Sequence, residues 1–186
     1  MITIVPLDSS RAQDFLSLFD VASFAHAEHW SGCYCRFYHT DCSMEEWTSR
    51  NREQNKEDAF RAISNNEMAG FLAYDGNKCV GWLNSGDVQN YPRIYPYVPE
   101  PIRAKKTALS ICFVISKDYR NQGIASMLLD YAIGYAKEHG YEQMLALPFE
   151  APITERMYRG LPSMYLKRGY VLIDTAEAIQ ILLKTL

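Results

Sequence analysis

No apolar stretch in this chain approaches the ~20 residues needed to cross a bilayer. The opening Met1-Ile2-Thr3-Ile4-Val5-Pro6 also lacks the basic region and apolar core of an export signal. A cytoplasmic location is the expectation. No basic run exceeds two residues and the formal net charge is -3, so the basic face of a nucleic-acid binder is missing. Neither nucleic acid nor a membrane is an expected partner. A Gly-Lys-Ser/Thr loop is absent, which excludes a P-loop, and no dinucleotide fingerprint with its three glycines is present. Internal repeats, low-complexity tracts and linker-like boundaries are lacking too. The five cysteines are an odd number without an export signal, so they read as reduced thiols, not as a disulfide framework.

What is present is an ordinary globular balance. The 186 residues are 48% hydrophobic and 22% charged, enough for one domain over 1–186 with a sizeable core. Ile2 to Leu7 reads as a first strand. Ser9-Ser10 offers an N-cap to a helix carrying Phe15, Leu18, Phe19 and Ala22, reaching about Phe24. Ser43 and Glu46 form a capping box opening a second helix that runs past Phe60 and Ile63. Asp75-Gly76-Asn77 joins two strands, Phe71 to Tyr74 and Lys78 to Leu83, as a hairpin. Gly86 to Lys106, rich in proline and tyrosine, reads as a packed surface loop. Ala108 to Ser116 is an apolar, β-branched central strand.

The third helix is the clearest element. Ile124, Met127, Leu128, Tyr131, Ala132, Tyr135 and Ala136 follow helical spacing, and Gly140 stops it. Tyr141 to Leu147 is a strand, Thr154 to Arg168 a shorter helix ended by Gly169, and 170–173 and 178–183 are the last strands. The order is β-α-α-β-β-β-α-β-α-β-β.

Gly123 sits where the turn after the central strand meets the third helix. First-turn N–H groups have no intrahelical partner, and the helix dipole adds positive charge there, so a pyrophosphate fits. Arg120 and Gln122 can add side-chain donors. Taken alone, a glycine opening a helix is more often a packing or turn residue.

Ile115-Ser116-Lys117-Asp118-Tyr119-Arg120-Asn121-Gln122-Gly123-Ile124-Ala125 resembles the acyl-CoA-binding motif of the GNAT superfamily of N-acetyltransferases. That motif is a strand ending in V-x-P-x-Y-R followed by R/Q-x-x-G-x-G/A, and Lys117 stands where proline is frequent. Met164-Tyr165-Leu166-Lys167-Arg168-Gly169-Tyr170 is similar to the family's L-Y-x-K-x-G-F. The asparagine often found seven residues before that tyrosine is Tyr158 here. The motif similarity is confined to 111–140 and 157–173, while the element order matches throughout.

The resemblance implies an α/β fold with a mixed, mostly antiparallel sheet, helices on both faces and a central parallel pair that splays apart. It implies acetyl-CoA as acyl donor and direct attack of a primary amine on the thioester. Phe113, Val114 and Ile115 would pair with the pantetheine amides. Arg120, Asn121, Gln122, Gly123, Ile124 and Ala125 would hold the pyrophosphate. Tyr165 would be the general acid for the departing thiolate, the plain alternative being a packing tyrosine. The acceptor is a small-molecule or peptide amine, and the reading leaves room for a homodimer.

Cys33, Cys35, His39 and Cys42 are zinc-ligand types, but their spacing fits no common zinc module. Pocket lining or core packing is the preferred reading, and no metal is expected. Cys79 and Cys112 lie in strands as small apolar residues. No carboxylate stands out as general base; Asp87 and Glu150 follow strands near the cleft. Trp30, Tyr34, Phe37, Tyr91, Tyr95 and Tyr97 are candidates to frame an acceptor site. Three rival readings stand beside the acetyltransferase: a non-catalytic acyl-CoA-binding or sensing domain, a transferase for a longer acyl group, and a zinc-dependent module.

Overall fold

The computed structural model describes residues 1–21, 32–150 and 154–186. Seven strands form one sheet: β1 (Ile2–Pro6), β2 (Gly70–Asp75), β3 (Lys78–Asp87), β4 (Thr107–Ile115), β5 (Gln143–Ala146), β6 (Val171–Ala176) and β7 (Ile179–Thr185). Their order across the sheet is β1-β2-β3-β4-β5-β7-β6. Every neighbouring pair is antiparallel except β4 and β5, which are parallel. The expected α/β architecture with one central parallel pair is therefore what this chain folds into.

Helices cover both faces. On one lie α1 (Ala12–Val21) and α3 (Arg52–Ser64), preceded by the short α2 (Met44–Ser49). Phe15, Phe19, Ala59, Ala62 and Ile63 from these helices pack on Leu72, Trp82, Leu109 and Ile111 of the sheet. Phe15 meets Trp82 edge-on, with ring centroids 5.0 Å apart. On the other face lie α5 (Ile124–Glu138) and α6 (Pro162–Leu166), while the four-residue α4 (Glu100–Arg103) precedes β4. Leu128, Leu129, Ala132 and Ala136 of α5 pack on Phe71, Ala73 and Met144. Alternation along β2 sends Leu72 to one core and Phe71 and Ala73 to the other, as the period of two requires. Each fully buried large side chain contributes roughly 1.5–3 kcal/mol of burial free energy.

The second helix differs from expectation. It is two helices, because Arg50 is extended and Asn51 begins again with its own capping box to Gln54. Two consecutive caps override a continuous helical pattern, since each satisfies the N–H groups of a fresh first turn. The fourth helix is also divided. Residues 154–159 form a 3₁₀ turn, Gly160 adopts φ +79°, and Pro162 opens α6. A Cβ at Gly160 would come 2.6 Å from Met164 and 3.1 Å from Tyr165, so both the conformation and the space require glycine. The first helix is described to Val21, and the expected residues 22–24 lie outside the described residues. Among the described residues, no helix is long and apolar enough to cross a membrane.

Candidate functional site

The parallel pairing of β4 with β5 runs only from Thr107↔Gln143 to Ser110↔Ala146. On its other side β4 continues against β3 as far as Ile115↔Gly81. The register there skips one residue: Ser110 faces Ser85 and Cys112 faces Asn84, leaving Ile111 as the extra residue of a bulge. A bulge bends its strand and increases its twist. The bend falls where β5 pairing stops, so residues 111–115 present a strand edge that β5 no longer covers. Phe113 and Val114 are buried and Ile115 half-buried along this edge.

Beyond β4 the chain makes a 3₁₀ turn at Lys117–Tyr119 and enters α5 through Asn121 (φ +60°) and Gly123 (φ +82°). Gly123 is the N-cap, no side chain caps the helix, and the first intrahelical bond is Met127 N to Gly123 O, 3.0 Å. The N–H groups of the first turn therefore lack an intrahelical partner. A Cβ at Gly123 would meet nothing within 4 Å, so glycine is needed here for its dihedral and keeps the approach clear. Ile124 is buried while Asn121, Gln122 and Gly123 are exposed and Ala125 half-buried. The two expected side-chain donors fold back on their own loop. Arg120 Nε donates to Ile115 O (3.1 Å), and Gln122 Nε2 donates to Asp118 O (2.8 Å).

The family model of the acetyltransferase (GNAT) family matches residues 26–161. The chain belongs to that family. Its fold is similar to PaiA N-acetyltransferase from Thermoplasma acidophilum, solved in complex with coenzyme A, at 15% identity over 100% of this chain and 99% of that one (TM-score 0.58). It is also similar to a GNAT-family acetyltransferase from Listeria monocytogenes 4b F2365, at 12% identity over 100% and 95% of the two chains (TM-score 0.62). A third is ribosomal-protein-S5-alanine acetyltransferase from Vibrio fischeri, at 14% identity over 99% and 92% (TM-score 0.59). At these identities the likeness is one of fold. No curated protein matches the chain. Membership of the GNAT family makes this an acetyltransferase domain of the acyl-CoA-dependent kind.

Tyr165, on α6 of this GNAT chain, is fully buried. Its hydroxyl donates to Arg159 O over 2.7 Å, and its ring packs against Tyr170 (5.3 Å) and Phe113 (6.5 Å). Burial, and then the neighbouring Tyr170, push the phenol well above its ordinary pKa, so it stays protonated. The geometry as it stands ties the turn before α6 to β4.

The cysteine-histidine cluster separates into distinct contacts. Cys35 Sγ accepts from the Trp82 indole N–H at 3.2 Å, and Cys42 Sγ accepts from Arg93 at 3.4 Å. His39 Nδ1 lies 3.1 Å from Asn90 O, a pure acceptor, so it carries the proton; Nε2 then accepts from Asn84 Nδ2 at 3.1 Å. Tyr91 completes the network by donating to Asn84 Oδ1 at 2.8 Å. Burial, and then the nearby Arg36, lower His39 to about 4, so the ring is neutral around pH 7. Burial pushes the Cys33 thiol up to about 12. All five cysteines are free thiols, and among the described residues no group of three or more His, Cys, Asp or Glu is placed to hold a metal ion.

The remaining candidates scatter. Asp87 accepts from Gln89 N and caps a 3₁₀ turn, and Glu150 is exposed. Tyr34 is a core residue whose hydroxyl donates to Asp20 (2.6 Å). Tyr91 is equally buried, Phe37 stacks edge-on to Trp47, and Tyr97 stands out in solvent. Trp30 lies outside the described residues. Two buried residues that meet just past β5, Arg159 and Tyr38, carry no motif in the sequence. A buried arginine flanked by Tyr158 and Gly160 carries no periodic or spacing signal that would have found it.

Proposed function

We propose that this GNAT chain is an N-acetyltransferase that moves the acetyl group of acetyl-CoA to a primary amine of a small molecule or peptide. The observation that carries the reading is the parting of β4 from β5 after Ser110↔Ala146, with the uncapped N-terminus of α5 following the freed end of β4. The residues fit the coenzyme. Backbone groups of Phe113, Val114 and Ile115 stand on the stretch of β4 that β5 leaves unpaired, suited to an extended chain of amides. The amides around Gln122 to Ala125, with Asn121 and the Arg120 side chain beside them, suit a pyrophosphate. Acetyl-CoA supplies the activated acyl group when bound.

The protein's own contribution is positional and protic. The acceptor nitrogen must arrive uncharged, because an ammonium has no lone pair with which to attack. Tyr165 is held protonated in a dry setting, the state a general acid needs. In this reading it gives its proton to the departing thiolate. A single domain over 1–186 is part of the same proposal, which leaves room for a homodimer.

The test is protein-dependent thiol release from acetyl-CoA across a panel of amines. Turnover with at least one primary amine, and none without amine, is expected. Coenzyme binding with no turnover of any amine would leave a sensing domain instead. Turnover only with longer acyl thioesters would replace the acetyl assignment.

A further inference from the structure

Among the described residues two arginines are almost fully buried, Arg36 and Arg159. They are held in opposite ways. Arg36 has a counter-ion: its Nε donates to Asp58 Oδ2 at 2.9 Å. Arg159 has none among the described residues. Its Nε and Nη2 both donate to the Tyr38 hydroxyl, at 3.2 and 2.8 Å, and its Nη1 donates to Leu147 O at 3.2 Å. Three aromatic rings enclose the cation, with Cζ 4.6 Å from the Phe149 centroid, 5.5 Å from Tyr38 and 5.8 Å from Tyr158. Tyr38 and Tyr158 hydroxyls lie 3.2 Å apart, so among the described residues the polar groups it meets are phenols and one carbonyl, all neutral.

A buried charge without an opposite charge is costly, and folded proteins pair such charges or give them a ligand. Ring faces and neutral acceptors offset part of the cost. Those contacts, with a further hydrogen bond to Tyr158, use only part of the five guanidinium N–H groups. The site is also placed for a substrate. Leu147 and Phe149 follow β5, and Tyr158 and Arg159 belong to the turn before α6, whose Tyr165 is anchored on Arg159 O. Tyr38 comes from the segment between α1 and α2. Leu147, Phe149 and Tyr158 are only half-buried, so solvent reaches part of the apolar and phenolic surface around Arg159.

We propose that Arg159 binds a carboxylate of the acceptor, so that the substrate is an amine that also carries a carboxylate, such as a free amino acid. The guanidinium fork matches a carboxylate geometrically, and the phenols of Tyr38 and Tyr158 flank it as hydrogen-bonding groups. This rests on the amine-acceptor reading above and narrows it. Simple amines and polyamines would lack the anion that neutralises Arg159, and they would be poor substrates.

The experiment uses the full chain with acetyl-CoA and matched pairs of acceptors: amino acids, their α-carboxamides and the corresponding decarboxylated amines. The expected wild-type preference for the acids is on the order of 10²-fold in kcat/KM, the size lost when one partner of a desolvated charge pair is removed. In Arg159→Gln that preference should collapse, and Arg159→Lys should recover part of it. Circular dichroism and thermal unfolding check that each variant folds. A second arm titrates N-acetyl amino acids, and their amides as controls, into CoA-loaded protein by calorimetry. Selective binding of the acids that is lost in Arg159→Gln supports the site even if no amine is turned over, which would sink only the catalytic reading. Turnover of amines with equal kcat/KM for acids and amides overturns the inference while leaving the transferase standing. If Arg159→Gln does not fold, a wild type without carboxylate preference in either arm overturns it, and a preference weakened in Arg159→Lys supports it.

Discussion

The hydroxyl of Tyr165 donates to the main-chain carbonyl of Arg159 over 2.7 Å, so the phenol proposed as acid and the buried cation proposed as acceptor anchor share one hydrogen bond. Both groups are buried, and both come from the stretch between β5 and β6. A proton leaving Tyr165 and a carboxylate arriving at Arg159 would therefore act on the same short segment.

Tyr165→Phe keeps the ring against Phe113 and Tyr170 and removes only the donor. Leaving the Arg159 carbonyl without it should cost about 1–2 kcal/mol in stability. If the phenol is the acid, kcat should fall by ~10²-fold, the low end for general acid catalysis, because a thiolate already leaves well. Acetyl-CoA affinity should change little. Steady-state kinetics with calorimetry separates the two effects: wild-type kcat in a folded variant would leave Tyr165 a packing residue alone.

Asp58 is the counter-ion of the buried Arg36 and also meets Arg50 (3.1 Å) and Arg61. Its carboxyl is held below the ordinary range by these arginines in spite of burial, which alone would raise it. Asp58→Ala strands a buried guanidinium, so the variant should lose about 3–5 kcal/mol. Urea unfolding measures this. A loss within ~0.5 kcal/mol, the ordinary range for a surface change, would show that Arg36 is solvated after all.

His39 should make stability fall in mild acid. Its folded pKa is lowered to about 4 from an ordinary 6.5, so the unfolded chain binds the proton more readily. The contribution is complete above pH 6.5 and is lost as pH falls through the window from 6.5 to about 4. Its full size is about 3 kcal/mol. Wild type and His39→Gln, unfolded in urea at several pH values, should differ in slope within that window. Parallel curves would place the titrating group elsewhere.

Much of this architecture was legible in the residues. The spacing of Ile124, Leu128, Ala132 and Ala136 marked α5, and Asp75-Gly76-Asn77 marked the β2–β3 hairpin, because both signals are local. The break at Arg50 was missed although its signal, Asn51 with Gln54, is also local; the earlier box at Ser43 drew the reading into one long helix. The bulge at Ile111 was not legible, since it depends on which residue of β3 each residue of β4 faces. Arg159 was missed for a similar reason. Its meaning comes from having no carboxylate neighbour in space among the described residues, and its contacts Tyr38 and Leu147 lie 121 and 12 residues away.

The thiols give a chemical test of the site's contents. Cys35 and Cys42 already accept from Trp82 and Arg93, and Cys33 Sγ lies 3.4 Å from the Cys35 amide nitrogen. The denatured protein should titrate as five free thiols. Elemental analysis should find no stoichiometric metal. One zinc per chain, lost in Cys33→Ser, would contradict this and revive a metal role for the cluster.

Gly123 offers the sharpest check on where the coenzyme lies. Its φ of +82° is a left-handed conformation, and open space surrounds the position a Cβ would take. Gly123→Ala therefore tests the dihedral alone and should cost about 1–2 kcal/mol in stability. It adds one methyl at the mouth of the anion site, so affinity for acetyl-CoA should drop modestly. Gly123→Glu carries the same backbone cost and adds a carboxylate beside the uncapped first turn of α5. That carboxylate would compete with the pyrophosphate for the same N–H groups and repel it. Calorimetry should show Gly123→Glu binding at least ~10-fold more weakly than Gly123→Ala, a gap that covers the loss of one charge-assisted contact. Higher salt should narrow the gap, because screening weakens the repulsion between exposed charges. Equal affinities in the two folded variants would move the coenzyme away from this helix end.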